Sequence, residues 1–321
     1  MTRMPRHVAN IFVLAAVLVT TAALADAMSP HDWLARMSGA VQTTNYEGTV
    51  VRVRGGSAEA MKVVHVVSDG VIREKVVAQE GNGLEIIRNG NEVHCILPES
   101  KSVLVEEWDD QSTLFSTLPS SDIHFGADYD VSIVRKERVA GRQAMLLAVR
   151  PHDEYRYGHR IWLDIETGFP LQTKLVDNNG ATIEQVKFAD ISLDAEIHSS
   201  AFAPSYSLDS FTWITEPRES HRQVVESDWR AADLPSGFAA ESVNEEQLPG
   251  TEQPVTHILY SDGIARVSVF IASKTSADIG GKSRLGTSNS YSVANGDYVI
   301  TAVGEVPAST VEKIAKSVQR N

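Results

Sequence analysis

The chain of 321 residues is poor in cysteine, in basic residues and in long apolar segments, and each shortage limits what it can be. Cys95 is the single cysteine, so no disulfide can form within one chain and the fold must be held by its core. Cys95 lies in an alternating stretch between Val93 and Leu97, which indicates a buried strand residue. A disulfide between two chains and a reactive thiol are the alternatives.

Basic residues are outnumbered, because 29 lysines and arginines face 42 aspartates and glutamates, which gives a formal net charge of -13. Proteins that bind nucleic acid need a basic surface to meet the phosphates. The composition therefore argues against nucleic acid as a partner. It also argues against general adhesion to an anionic membrane.

One apolar run, Ile11–Val19, stands near the start, after Arg3 and Arg6 and before an A-x-A site that ends at Ala25. These are the three parts of a secretory signal peptide. The run is short for a membrane span, which needs about 20 apolar residues, so an uncleaved anchor is the weaker alternative. We expect cleavage of residues 1–25 and export of a soluble mature chain that starts at Asp26 and carries a net charge of -15.

Catalytic and metal signatures are missing as well. The sequence contains no H-E-x-x-H, C-x-x-C or G-x-S-x-G motif. Gly280–Ser283 ends like a phosphate-binding loop, but Ser276 stands where that loop needs its first glycine. The carboxylates of Glu106–Asp110 are typical of a solvated loop, and His152 and His159 flank a turn rich in tyrosine and arginine without metal-ligand spacing. We predict no catalytic residue, no cofactor and no metal site.

The sequence does contain a long series of short segments, from Tyr46 onward, in which apolar and polar residues alternate. This period of two is typical of β-strands. Asp-Gly and Asn-Gly pairs, which tolerate the positive φ of tight hairpins, separate several segments: Asp69-Gly70, Asn89-Gly90, Asn179-Gly180, Asp262-Gly263 and Asn295-Gly296. Because regular helical crossovers are not visible, we predict an α+β protein with mainly antiparallel sheets rather than a parallel nucleotide-binding sheet.

Two helices are predicted at the ends of the mature chain. Ser29 can cap the first, and Asp32 completes a capping box. Ser309 and Glu312 have the same spacing before the last apolar face, so we expect the second helix to start with the same device.

A change in the sequence pattern divides the mature chain. After Phe202, prolines and mixed charges without a clear period indicate a connection. We therefore predict an N-terminal domain at residues 26–205, a linker at 206–227 and a small α+β C-terminal domain at 228–321.

One charged constellation is a candidate binding surface. Arg52 and Arg54 share one face of their predicted strand, and Arg73 and Lys75 share one face of theirs. If the two strands are neighbours, the four residues form a basic stripe that could meet a lipid phosphate or an acidic peptide. The alternative, a solvated outer face of the sheet, is the stronger interpretation.

Segments spread in a fixed order over nearly the whole mature chain carry a family resemblance. They are Trp33–Met37, Asn45–Thr49, Asp69-Gly70, Arg73–Val76, Glu92–Pro98, Lys101–Val105, Tyr157–Asp164, Thr167–Leu171, Tyr260–Gly263, Val267–Phe270 and Val303–Pro307. Together they resemble the MucB/RseB family of periplasmic regulators of the envelope-stress (sigma-E-type) sigma factor. No single segment is diagnostic.

The resemblance implies a large half-open β-barrel domain, similar to lipoprotein carriers, followed by a smaller α+β domain. It implies a periplasmic stress-response protein that binds the periplasmic domain of a transmembrane anti-sigma factor and shields it from regulated proteolysis. Lipopolysaccharide or another acylated lipid would release it. The family is not enzymatic, and its partner-contact residues are not a signature that transfers to numbered positions.

Other hypotheses remain at this point. A periplasmic lipid or lipoprotein carrier would need only the first domain, and that idea rests on fold, which does not fix function. A hydrolase with an unrecognised site is the third. A homodimer is compatible with the sequence.

Overall fold

The computed structural model describes residues 28–107, 118, 128–215, 222–223, 227–247, 253–274 and 280–320. The predicted signal peptide lies outside these ranges. No helix within them has the length and apolar character needed to cross a membrane.

Within these residues lie two α-helices, α1 (Pro30–Thr43) and α2 (Ala308–Ser317), and a 3-10 turn at Ser199–Phe202. The strands in chain order are β1 (Tyr46–Arg54), β2 (Ser57–Ser68), β3 (Val71–Ala78), β4 (Glu85–Asn89), β5 (Glu92–Leu97), β6 (Ser102–Glu107), β7 (Tyr129–Val139), β8 (Arg142–Pro151), β9 (Gly158–Asp164), β10 (Pro170–Val176), β11 (Thr182–Leu193), β12 (Thr212–Thr215), β13 (Arg222–Gln223), β14 (Trp229–Ala231), β15 (Ala239–Glu246), β16 (Val255–Ser261), β17 (Arg266–Ser273), β18 (Gly281–Leu285), β19 (Ser288–Asn295), β20 (Tyr298–Gly304) and β21 (Val318–Arg320).

The first sheet has twelve strands in the order β12-β6-β5-β4-β3-β2-β1-β11-β10-β9-β8-β7. Neighbours pair antiparallel, except that β12 runs parallel to β6. The pairing of β1 with β11 joins two meanders that are distant in the chain. Because β12 and β7 stand at opposite ends, the described strands form an open sheet and not a closed barrel, as predicted.

Helix α1 begins with the predicted capping box. The Asp32 N–H donates to Ser29 Oγ at 3.1 Å, and the Ser29 N–H donates to Asp32 Oδ2 at 3.0 Å. Trp33, Leu34 and Met37 are buried against the first sheet in a cluster whose other members come from β7, β8 and β9. The helix is thus fixed at its first turn by capping and along its length by apolar burial.

The predicted hairpins are confirmed. Asp69 and Gly70 join β2 to β3 with φ values of 52° and 77°, the conformation that Asp-Gly pairs favour. The other four pairs likewise occupy the turns between β4 and β5, β10 and β11, β16 and β17, and β19 and β20.

The second sheet has the order β13-β15-β16-β17-β20-β19-β18, and α2 packs on it through Val311, Ile314 and Ala315. The predicted cap of α2 is wrong, because Pro307 is the N-cap residue and no side chain caps the helix. Ser309 lies inside the first turn, and Glu312 bonds Lys282 at 2.7 Å and Lys316 at 2.6 Å.

The predicted connection between the domains contains regular structure. Thr212–Thr215 forms β12 and adds to the edge of the first sheet, with the Thr212 N–H donating to the Lys101 carbonyl at 2.8 Å. β-Branched and aromatic side chains favour a strand here despite the flanking prolines and charges. The mainly antiparallel α+β class with a smaller second domain is confirmed, while the domain bounds stay a prediction.

Candidate functional site at the domain interface

The loop between β8 and β9, residues 152–157, reaches from the first domain to the second. The Tyr155 carbonyl accepts a hydrogen bond from Thr310 Oγ1 at 2.6 Å. Tyr157 Oη accepts one from Asn289 Nδ2 at 3.1 Å. The Lys313 ammonium also lies 5.6 Å from the centre of the Tyr155 ring. This loop is therefore a main contact of the first domain with α2 and β19.

Arg156 is the centre of this interface, and its side chain is 0% exposed. Its guanidinium grips Asp153 with two donors, Nε to Oδ1 at 3.2 Å and Nη2 to Oδ2 at 3.0 Å. Nη1 donates to Asp262 Oδ2 at 2.8 Å, across the domain boundary. Nη2 also donates to the Ser236 carbonyl, and Asp128 lies 3.8 Å away. The planar fork of arginine suits such a set of acceptors.

Asp262 receives donors on both of its oxygens. The backbone N–H groups of Ile264 and Ala265 donate to Oδ1 at 2.9 and 2.7 Å, because Asp262 opens the β16–β17 hairpin. Tyr129 Oη joins Arg156 on Oδ2, at 2.8 Å. The carboxylate is thus fully satisfied although its side chain is 1% exposed.

Two aromatic rings enclose the Arg156 guanidinium. The centres of the Tyr129 and Phe238 rings each lie 5.2 Å from its central carbon, one ring from each domain. Gly237 brings Phe238 into place with a φ of 77°, and a Cβ at this position would stand 2.3 Å from Asp128. Glycine is required here for its backbone conformation and for the close approach.

The charges of this cluster support one another. Burial opposes the charge of Arg156, but its contacts with Tyr129 and with the carboxylates of Asp262, Asp153 and Asp128 hold its pKa above the ordinary value. Burial, followed by the negative charge of Asp262, raises the pKa of Tyr129. The phenol therefore stays neutral and donates, while the guanidinium stays charged.

The predicted stripe residues Arg52 and Arg54 lie at the same interface. Each Nε is 3.9 Å from Glu184 Oε2 on β11. Burial raises the pKa of Glu305, at the end of β20, and Glu184 adds to the rise, whereas Thr287, Arg52 and Arg54 oppose it. These two arginines therefore face carboxylates of both domains.

Arg73 and Lys75 lie elsewhere. Strand β2 separates β3 from β1, and the registers place these two residues on the opposite face from Arg52 and Arg54. The Arg73 guanidinium stacks on Phe202 at 5.6 Å, and Lys75 Nζ pairs with buried Glu85 at 2.7 Å. The structure does not bring the four residues into one stripe, and a binding role for them stays a prediction.

A row of polar side chains crosses the face of the first sheet that is opposite to Arg73 and Lys75. The registers pair Tyr46 with His65, His65 with Glu74, and Glu74 with Arg88, and all four residues are buried. His65 Nδ1 lies 2.8 Å from Glu74, and the Tyr46 ring stacks on His65 at 4.8 Å. Buried apolar residues such as Phe188 surround this row, so a polar strip runs through the apolar core on this face of the sheet.

Cys95 is half-buried on β5. Burial, with a contribution from Glu106, raises the pKa of its thiol to about 11. The thiol is protonated at neutral pH, which supports an inert strand residue over a reactive one.

Two family models match two successive parts of the chain. The model of the MucB/RseB N-terminal domain matches residues 29–206, and the model of the MucB/RseB C-terminal domain matches residues 223–319. The chain belongs to the MucB/RseB family. The resemblance inferred from the short segments is therefore confirmed.

Relatives in this family match nearly the whole chain. The sigma factor AlgU regulatory protein MucB of Pseudomonas aeruginosa is 31% identical over 300 residues, which is 92% of each chain. The sigma-E factor regulatory protein RseB of Escherichia coli is 25% identical over 89% of each chain. A solved complex of Pseudomonas aeruginosa MucA and MucB contains a similar chain, with 29% identity, a TM-score of 0.70 and coverage of 91% of this chain and 99% of that one. A structure of MucB with MucA(peri) matches at the same TM-score and 30% identity.

The Arg156 cluster was not predicted from the sequence. Its parts were visible, since Tyr157–Asp164 and Tyr260–Gly263 both carry the MucB/RseB resemblance. The signal that pointed to it was the tyrosine- and arginine-rich turn between His152 and His159. Nothing in the local pattern paired that turn with an Asp-Gly hairpin 106 residues away.

Proposed function

We propose that this protein binds the periplasmic domain of a transmembrane anti-sigma factor and shields it from regulated proteolysis, so that the envelope-stress sigma factor stays inactive. The observation that carries the proposal is membership of the MucB/RseB family, together with solved complexes of a similar MucB chain with MucA. We place the mature protein in the periplasm and assign it a binding role rather than an enzymatic one.

Two features of the fold support peptide binding. The open first sheet ends in β7 and β12, and edge strands offer backbone groups to which an extended peptide can add. Trp213 and Ile214 on β12 are 50% and 44% exposed, which provides apolar contact beside that edge. The buried Arg156 cluster holds the two domains in one arrangement, so a peptide that touches both meets a pre-organised surface.

We further propose that lipopolysaccharide or another acylated lipid releases the partner. The support is the apolar core on the first sheet, which includes the buried Phe188 and Val63 beside the polar row at His65 and which an acyl chain would enter. Acyl chains gain about 0.8 kcal/mol for each buried methylene, so a few chains can outweigh a modest peptide interface if the two sites are coupled. Release then needs no covalent chemistry.

The test uses the mature chain from Asp26 and the periplasmic segment of the cognate anti-sigma factor. We expect the two to co-elute and the regulatory protease to cut the segment more slowly when this protein is present. A scrambled segment of the same composition is the control. Absence of association, with equal cleavage rates in both reactions, would contradict the proposal.

The apolar core on the open first sheet also suits a lipid or lipoprotein carrier. A carrier moves an acylated cargo between membranes at a rate that rises with the concentration of the carrier. This rate is the same with and without the anti-sigma segment. A transfer assay with fluorescent lipid therefore separates the two functions. Catalysed transfer that the anti-sigma segment leaves unchanged would favour the carrier.

A further inference from the structure

Two arginines beside the interface loop, Arg150 and Arg160, lie next to each other, and no carboxylate of the described residues pairs with either of them. Strand β8 pairs antiparallel with β9 so that Ala148 faces Arg160, which puts Arg150, two residues further, on the same face. Among the described residues, neither arginine forms an ion pair. The carboxylate opposite Arg150 belongs to Asp130, and it pairs with His152 at 3.0 Å.

The proximity of the two charges affects Arg160. Its one hydrogen bond to the described residues runs from Nη1 to the His159 carbonyl at 3.2 Å. Burial lowers the pKa of Arg160, and the positive charge of Arg150 lowers it further. A nearby anion would relieve this repulsion.

Arg150 and Arg160 line a cavity of about 580 Å³ between the interface loop and the β10–β11 turn. Three carboxylates also line it, but Asp153 is held by Arg156. Asp177 accepts the N–H groups of its own turn at 2.9 and 2.8 Å. Glu154 is the remaining carboxylate. The two guanidiniums are therefore strong donors of the cavity that no carboxylate of the described residues neutralises.

We propose that this cavity is an anion site in which Arg150 and Arg160 hold a phosphate group. Guanidinium forks match phosphate oxygens in pairs, and partial burial strengthens each charge-assisted hydrogen bond. A phosphorylated lipid head group and free inorganic phosphate share this chemistry. If the phosphate belongs to a lipid head group, the site would be part of the proposed lipid response, and that assignment rests on the proposed function. The anion site itself does not depend on it.

The experiment uses the full mature chain in two binding assays. Inorganic phosphate is titrated by calorimetry, and vesicles of phosphatidylglycerol and phosphatidylcholine are tested by co-sedimentation against vesicles of phosphatidylcholine alone. The test variant is R150Q/R160Q. The control is R138Q/R230Q, which removes two exposed arginines outside the cavity and so matches the change in net charge.

We expect the control to bind like the wild type and R150Q/R160Q to lose affinity by about tenfold or more, since each lost charge-assisted bond is strong. E154Q should bind more tightly, because it removes the uncommitted carboxylate. R150Q alone changes an exposed side chain, so it preserves the fold and should show a smaller loss in the same direction.

The two assays distinguish the sources. Arginine-dependent binding of phosphate alone supports a site for the free ion, and arginine-dependent binding of the anionic vesicles supports a head group. No binding in either assay, or equal binding by R150Q/R160Q and the control, would overturn the site. Binding of the anti-sigma segment is measured in the same variants, so failure of the anion site and failure of the proposed function give different results.

Discussion

Three arginines within one short stretch of this protein have opposite environments. Arg156 is completely buried and meets Asp153, Asp262 and the Ser236 carbonyl, whereas Arg150 and Arg160, on the flanking strands, have no carboxylate partner among the described residues. The sequence gives all three the same charge. Position relative to the second domain decides which charge is neutralised and which stays available.

The difference separates a structural charge from a binding charge. A buried ion pair gains little net stability, because desolvation offsets its attraction, but removing one partner leaves the other charge uncompensated. Arg156 therefore specifies how the domains meet more than it adds to their stability. The positive charges of Arg150 and Arg160 repel each other as long as no anion is bound between them.

The largest expected effect comes from Arg156→Met. The variant keeps most of the side-chain volume but leaves Asp128, Asp153 and Asp262 close together without their cation. We expect a loss of about 3–5 kcal/mol in the free energy of unfolding, because buried charges lose their partner. Urea denaturation should also change from one transition to two, as the domains uncouple.

Arg138→Gln is the control for that variant, since Arg138 is exposed on β7. It should unfold like the wild type. An unchanged midpoint and a single transition for Arg156→Met would show that apolar contacts such as those of Phe238 hold the domains without the charge.

A smaller effect is expected for His159, which lies in the sequence between Arg160 and the buried Arg156. Burial keeps its imidazole neutral. Burial lowers its pKa from 6.5 to about 4. Above pH 6.5 the residue is neutral in both states, but as pH falls from 6.5 toward 4 the unfolded chain takes up a proton that the folded chain refuses. Stability should therefore fall by roughly 2–3 kcal/mol between pH 7.5 and 4.5 from this residue.

Urea denaturation of His159→Gln at both pH values checks this. The substituted chain should lose less stability on acidification than the wild type, because glutamine takes up no proton. The other titrating groups act equally in both proteins. An equal loss in the two proteins would show that His159 does not cause the acid sensitivity.

Local signals predicted much of the fold. The capping box at Ser29 and the Asp-Gly and Asn-Gly hairpins each depend on residues close in sequence, and the structure contains all of them. The cap predicted at Ser309 failed, because the helix begins at Ala308 with Pro307 as its N-cap, so Ser309 lies inside the first turn. The spacing of Ser309 and Glu312 alone could not show where the helix begins.

The site was also beyond local signals. The stripe of Arg52, Arg54, Arg73 and Lys75 required β1 and β3 to be neighbours, and the intervening β2 puts the two pairs on opposite faces. The contact of Arg156 with Asp262 joins two domains, and only the complete topology brings them together. The resemblance to a family supplied the function, which no pattern of alternation contains.

Tyr129→Phe tests the rim of the Arg156 cluster with a smaller expected effect. The phenylalanine ring can still face the guanidinium, but the hydrogen bond from Tyr129 Oη to Asp262 is lost. Because Arg156 and two backbone N–H groups still satisfy Asp262, we expect a loss of about 1.5 kcal/mol. Denaturation should keep one transition, and a split transition would mean that the phenol and not the arginine joins the domains.

Arg150→Gln should have the smallest effect on stability and the opposite sign. Arg150 is exposed, and its positive charge lowers the pKa of Arg160, so its removal relieves a repulsion. We expect the free energy of unfolding to stay within about 0.5 kcal/mol of the wild type or to rise slightly, as for most surface substitutions. The rise should shrink in 1 M salt, where charges are screened within about 3 Å. A clear destabilisation at low salt would mean that Arg150, like Arg156, has a structural partner, and the contrast between the two arginines would then fail.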